Sequence, residues 1–218
     1  MNLFLINFMA DNNIKIRKDN QDRTIKVWLD LLSAIGHAEF DSKSEFKIGD
    51  FLDEGNWNDL RTLPREIGKL KKIKHLQLSG TNLQRFPQEI GNLESLEVFT
   101  PYTSYGLRWF PFEITRCKNL KSSTVSTRAL FGNKKTKKSF PSLQGNPVKY
   151  YHGNKCSICN SLETNKTFEQ YWITLWVGSD ALPLLAIVCS NDCYRKLPEP
   201  LEGYFPKPHK GGDPIKEN

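Results

Sequence analysis

Four cysteines fall into two close pairs, Cys156-Ser-Ile-Cys159 and Cys189-Ser-Asn-Asp-Cys193, separated by 29 residues. Two pairs of thiolates spaced this way can close a tetrahedral site for Zn²⁺. Such a site has no open position for water, so a metal held there is structural and carries no catalytic role. The competing readings are two disulfides or four unrelated thiols. Lys155, Arg195 and Lys196 lie beside the pairs and would offset the excess negative charge of four thiolates on one divalent ion. His152 and His209 flank the region as substitute ligands, although four cysteines already suffice. The chain has no phosphate-cradling glycine loop, nucleophile elbow or His-Glu metal motif, and its carboxylates are scattered. The expected class is therefore not an enzyme.

The elements needed to position the cysteines are legible around them. The first pair sits on a tight turn. Tyr171 to Val177 and Leu182 to Val188 read as two strands of a hairpin between the pairs. Asn191 to Leu197 reads as the start of a helix, halted by Pro198. A knuckle, a hairpin and a helix carrying the last ligand resemble a treble-clef zinc finger, over residues 150–200.

A second pattern occupies the middle of the chain. Leu60-Arg-Thr-Leu-Pro64-Arg-Glu-Ile67-Gly-Lys-Leu70 is followed by Leu83-Gln-Arg-Phe-Pro87-Gln-Glu-Ile90-Gly-Asn-Leu93. A third copy reads Leu107-Arg-Trp-Phe-Pro111-Phe-Glu-Ile114-Thr-Arg-Cys117. The prolines are 23 and 24 residues apart. This period points to units that bury their apolar faces only by stacking. His75-Leu76-Gln77-Leu78 alternates as a short one-faced strand should. Asn82 has an amide able to bond turn backbone. Pro87 suits a first helical position, and Gly68 and Gly91 read as helix breakers. Cys117 stands where Leu70 and Leu93 stand and reads as a buried small hydrophobe. The phrasing resembles the leucine-rich repeat in its short Leu-Pro-x-x-Ile-Gly-x-Leu form, a family used mainly for binding proteins.

The expected fold is α/β: a short leucine-rich-repeat solenoid with an N-terminal helical cap, followed by a small α+β zinc-binding domain. The expected boundaries are an N-terminal segment and cap at 1–56, repeats at 57–143 and a linker at 144–149. The finger follows at 150–200 and a flexible tail at 201–218. Phe140-Pro141 reads as the echo of a last unit. The cap rests on Ile25, Trp28, Leu29, Leu32 and Ile35 at helical spacing, with Asp22 as N-cap and Gly36 behind.

The leading functional expectation is a non-enzymatic protein-protein interaction module with an unidentified protein partner. Register with Leu76 and Leu78 turns His75, Gln77, Ser79, Val98, Thr100, Tyr102, Ser122, Thr124 and Ser126 outward as partner-binding candidates. Tyr102 is the best anchor, because aromatic residues often supply binding energy. The alternative is a nucleic-acid-binding protein using the finger, Trp172 and Trp176, and a basic loop of Lys134, Lys135, Lys137 and Lys138. That loop also reads as simply solvated. Net charge is +7, and hydrophobic content is a modest 38%. Met1 to Ala10 is apolar but lacks a charged leader and is too short to span a bilayer. Met9 is an alternative start, and a short signal sequence is the other reading of this stretch. With no membrane span and a reduced cysteine cluster, the expected location is cytoplasmic.

Overall fold

A computed structural model describes residues 16–52, 56–136, 138–164 and 167–212. The fold is mixed α/β with few helices. Helix α1 (Lys26–Phe40) is followed by strands β1 (Glu45–Lys47), β2 (His75–Gln77), β3 (Val98–Thr100), β4 (Phe110–Pro111) and β5 (Ser122–Ser123). Then come β6 (Glu169–Val177), β7 (Asp180–Val188) and helix α2 (Asn191–Arg195). Strands β1, β2, β3 and β5 form a parallel sheet in that order. A second sheet has the order β4-β7-β6, with β6 antiparallel and β4 parallel to β7.

The parallel sheet is in register: His75 lies beside Val98 and Val98 beside Ser122, while Leu76 lies beside Phe99 and Phe99 beside Ser123. Strand side chains alternate between faces. Leu76, Leu78 and Phe99 therefore enter the core while His75, Gln77, Val98 and Thr100 turn away from it. After β1, β2 and β3 the chain returns through coil and a 3₁₀ turn. Three of these turns, Arg65–Lys69, Gln88–Asn92 and Phe112–Arg116, carry the recurring sequence phrase. Phe86, Phe99 and Phe110 interlock between successive units, with ring centroids 5.5 to 6.0 Å apart. Offset and edge-on contacts of this kind add to the apolar burial.

The repeat residues have different jobs from those expected. Pro87 comes just before its turn, as expected, and Pro64 and Pro111 do likewise, but none of the three is a first helical residue. Each sits one step earlier, extended, as the residue that caps the 3₁₀ turn. Gly68 and Gly91 do not break the turns but lie within them. A Cβ on Gly68 would meet the Glu89 carbonyl oxygen at 2.8 Å, and one on Gly91 would meet that of Glu113 at 2.3 Å. Glycine is thus required by the close approach of the next unit. The third unit has Thr115 at this place, and among the described residues no fourth copy stacks on it. Cys117 follows its turn as Leu70 and Leu93 follow theirs and is buried, as read from the sequence.

Several boundaries move. The parallel sheet begins at β1, inside the expected cap, and ends at β5. Phe140 does not continue it; it bridges Gly212 and packs on Trp172 and His209. Helix α1 passes through Gly36 to Phe40, and its buried face is Val27, Trp28, Leu31, Ala34, Ile35 and Ala38, leaving Leu29 exposed. Asp22 does not cap it but accepts from the N–H and hydroxyl of Thr24 in the preceding turn. The stretch 144–149 does not separate two cores. Val148 is buried, and its N–H and carbonyl are both bonded to Gln170. One apolar cluster runs from Val27 through the repeats to Ile173, Leu184 and Ala186 of the hairpin. The expected tail also folds back as far as Gly212: His209 and Trp172 exchange backbone hydrogen bonds, and Phe205 stacks on His209. The apolar octet at the N-terminus and Met9 lie outside the described residues. Among the described residues no helix is long and apolar enough to cross a membrane.

Candidate metal centre

The hairpin and the two turns at its base bring the four cysteines together. Residues 156–161 form a knuckle: the Cys156 N–H donates to the Ser161 carbonyl at 2.8 Å and the Asn160 N–H to the Cys156 carbonyl at 2.9 Å. Asn160 closes the turn with φ 63°, a left-handed conformation that asparagine tolerates. The knuckle is pinned to β7, since the Ser157 N–H donates to the Ile187 carbonyl and the Ile187 N–H to the Ser157 hydroxyl. Just past this same end of β7, Ser190 caps α2 by accepting from the Cys193 N–H at 3.2 Å. That cap fixes where the first turn of α2 places Cys193, opposite Cys189.

The four sulfurs lie within 4.8 Å of one another. Cys159 and Cys189 are 3.5 Å apart and Cys189 and Cys193 3.6 Å. None of the four forms a disulfide. A zinc–sulfur bond of about 2.3 Å gives a tetrahedron with edges of about 3.8 Å. The observed spacing therefore fits four thiolates around one ion. The Ser161 hydroxyl, 3.2 Å away, and then its N–H pull Cys159 down to about 6, while the bond to the Cys159 sulfur pushes Cys189 up to about 12. Four adjacent thiols cannot all ionise against one another, and a divalent cation among them removes that conflict. Burial within the repeats pushes Cys117 up to about 11, and its Sγ donates to the Ile90 carbonyl, away from this cluster. Neither histidine joins it. His209 is held among Phe140 and Phe205, and burial lowers it to about 4. His152 stacks edge-on against Tyr151.

The knuckle is docked on the 3₁₀ side of the repeats through a buried polar seam. Gln88 accepts from the Lys155 N–H and donates to the Lys155 carbonyl and to Glu113, at 2.9, 2.9 and 2.7 Å. Arg116 donates to the Ser157 carbonyl, and Lys155 pairs with Glu89 at 2.7 Å. Burial raises the Glu113 carboxyl, and its second oxygen has no partner among the described residues. The hairpin's turn docks too, against the last strand of the parallel sheet. Ser179 Oγ accepts from the Ser123 N–H and donates to its carbonyl, and the Ser123 hydroxyl donates to the Val177 carbonyl.

The outward residues of the parallel sheet stand in rows. Ser122 and Thr124 are exposed, Ser79 and Ser126 half-buried, and Tyr102 is 51% exposed, with Tyr105 beside it. Sequence reasoning missed Tyr105. It also missed Thr103, which takes φ 61° where the preceding unit has Gly80 at φ 77°. Of the two tryptophans, Trp172 is fully buried and donates to the Pro141 carbonyl, whereas Trp176 is exposed on the hairpin. Arg195 is paired with Asp192. The basic run from Lys69 to Lys74 is largely paired as well, with Glu39, Glu94 and Glu97. Lys134 and Lys135 are exposed, Lys138 is half-buried, and Lys137 lies outside the described residues.

Comparison of the chain with protein-family models and with curated proteins finds no match to either. The reading of the four cysteines as a candidate metal site thus rests on their own geometry, and the likeness to leucine-rich repeats on the residues quoted for it.

Proposed function

We propose that the chain is a non-enzymatic protein-binding module: a short leucine-rich-repeat solenoid whose outward strand face takes a protein partner, braced by a treble-clef-like finger that holds one structural Zn²⁺. The in-register parallel strands, recurring with the 23- and 24-residue period, support the solenoid. Reduced thiols at metal-binding separation support zinc and a reducing, cytoplasmic setting. A closed four-sulfur site offers no position for substrate.

The observation that carries the binding reading is the turn after β3. Thr103 is a β-branched residue in a left-handed conformation, which costs about 1–2 kcal/mol. It lies between two exposed aromatic rings, Tyr102 and Tyr105. Strain retained beside exposed aromatics is a mark of a recognition surface. The test is affinity purification from cells expressing the chain, comparing wild type with Tyr102→Ala and Tyr105→Ala. A partner recovered with wild type and lost with both variants is expected. No specific partner, or one held equally by both variants, overturns the reading.

A further inference from the structure

Away from the metal cluster and the strand face, a cavity of about 320 Å³ opens beside the second and third repeats. The residues after Leu83 and Leu107 supply one wall: Gln84 and Arg85 from one unit, Arg108 and Trp109 from the next. Arg17 enters from the segment before α1, and Phe131 and Lys138 from the loop after β5. Four cations therefore line one cavity, and among the described residues that line it none is a carboxylate. Among the described residues no ion pair involves Arg17, Arg85, Arg108 or Lys138. Arg85 is buried, spends donors on the main-chain carbonyls of Arg17 and Lys149, and lies over the Trp109 ring at 5.9 Å; Asp19, which lines only the neighbouring cavity, acts on its charge without forming an ion pair with it.

We propose that this cavity binds a phosphorylated small molecule, with Arg17, Arg108 and Lys138 around the phosphoryl oxygens and Arg85 behind them. Guanidinium groups present paired N–H donors that match phosphoryl oxygens, and their charge counts for more where water is partly excluded. Holding these like charges together without an anion is unfavourable. Burial lowers Arg108, and the charge of Arg17 lowers it further; burial and then Arg108 act in the same direction on Lys138. The cavity is at the lower end of the roughly 300–1,000 Å³ range of ligand pockets. A neighbouring cavity of about 610 Å³ shares Ile16, Arg17 and Arg85 and runs on past Pro147, Tyr150 and Tyr151. Its carboxylate, Asp19, is already paired with Arg23 at 2.8 Å. Phosphoryl groups in the first space and an apolar or aromatic portion in the second is the chemistry of a nucleotide.

The full chain should be titrated with inorganic pyrophosphate and with adenosine triphosphate, by calorimetry and by melting temperature. Saturable binding of both is expected, weakened about tenfold or more by Arg108→Gln and by Lys138→Ser and unchanged by Lys134→Ser, which lies outside the cavity. Arg108→Gln should also melt above wild type without ligand, because a like-charge contact is gone, and a given pyrophosphate concentration should raise its melting temperature less than that of wild type. A side chain that is merely solvated would show neither effect. The proposal is overturned if millimolar pyrophosphate and nucleotide leave the heat and the melt unchanged. It is equally overturned if both variants bind like wild type, or if only long RNA binds while small phosphates are inert.

Discussion

Gly91→Ala tests whether successive repeats truly press together. The new Cβ would lie 2.3 Å from the Glu113 carbonyl oxygen, 2.7 Å from its Cβ and 2.8 Å from its carbonyl carbon. Ordinary carbon contacts are about 3.5–4.0 Å, so two 3₁₀ turns must separate by more than about 1 Å. The obstacle is backbone and cannot swing aside. Overpacking of this kind costs about 1–3 kcal/mol, against a gain of about 0.4–1 kcal/mol from restricting the unfolded chain. A net loss of about 1–2 kcal/mol lowers the melting temperature of a chain this size by about 2–8 °C. The control is Gly36→Ala inside α1, where a Cβ meets nothing within 4 Å. That change should stabilise by about 0.5–1 kcal/mol. Calorimetry of both variants checks the pair. Gly91→Ala melting at or above wild type while Gly36→Ala rises would refute the stacking argument.

Protein purified without added metal should carry about one zinc per chain by elemental analysis. Cys156→Ser or a strong chelator should then lower the melt of the whole chain in one transition, because the hairpin and repeats share a core; a repeat transition left at its original temperature would separate them. Cys117→Ser should leave the metal content unchanged. Thr103→Gly should raise stability by about 1 kcal/mol in urea titration by relieving the left-handed threonine, and no gain would show that the turn is unstrained. Glu113 is raised in the folded state, so the folded chain binds its proton more tightly than the unfolded chain. Its favourable contribution is complete below the unfolded carboxylate range and is lost as pH rises through the folded pKa. Glu113→Gln should therefore melt above wild type at neutral pH, with the difference shrinking in acid; a difference independent of pH counts against a buried carboxylate.

The strand register and the cysteine cluster were legible because each is local. Alternation at 75–78 fixes which side chains enter the core, and the cysteine spacing fixes which sulfurs meet once the hairpin forms. The contacts between these parts were not legible. Phe110-Pro111 reads as the approach to a helical turn, yet the same residues pair with Leu184 and Leu185 of β7. A signal was present: Leu182 to Val188 is an unbroken apolar run, and a strand without alternation is buried on both faces. Strand β1 has only three residues and no repeat phrase, so nothing in its sequence separates it from the cap. The face of α1 was misjudged because Leu29 is apolar and exposed, which is common on protein surfaces. The cationic cavity was hidden because Arg108 and Lys138 are 30 residues apart and meet only in the fold.

Repeat arrays commonly lengthen in evolution by duplication of a unit. In this chain the docking of Ser179 on Ser123 obstructs that route at one end. The sheet edge that a further strand would extend is occupied by the hairpin turn. An inserted copy before β4 would shift Phe110 away from Leu184 and with it the knuckle seated on Gln88. The cysteine-bearing hairpin thus acts as a length ruler, and any mutation that adds a unit there must also rebuild the support of the four cysteines. Tolerance for added or lost units is expected at the β1 end, where the first strand already lacks the repeat's phrase. A designed insertion of one 23-residue unit between β1 and β2 should keep the metal, and the same insertion between β3 and β4 should lose it.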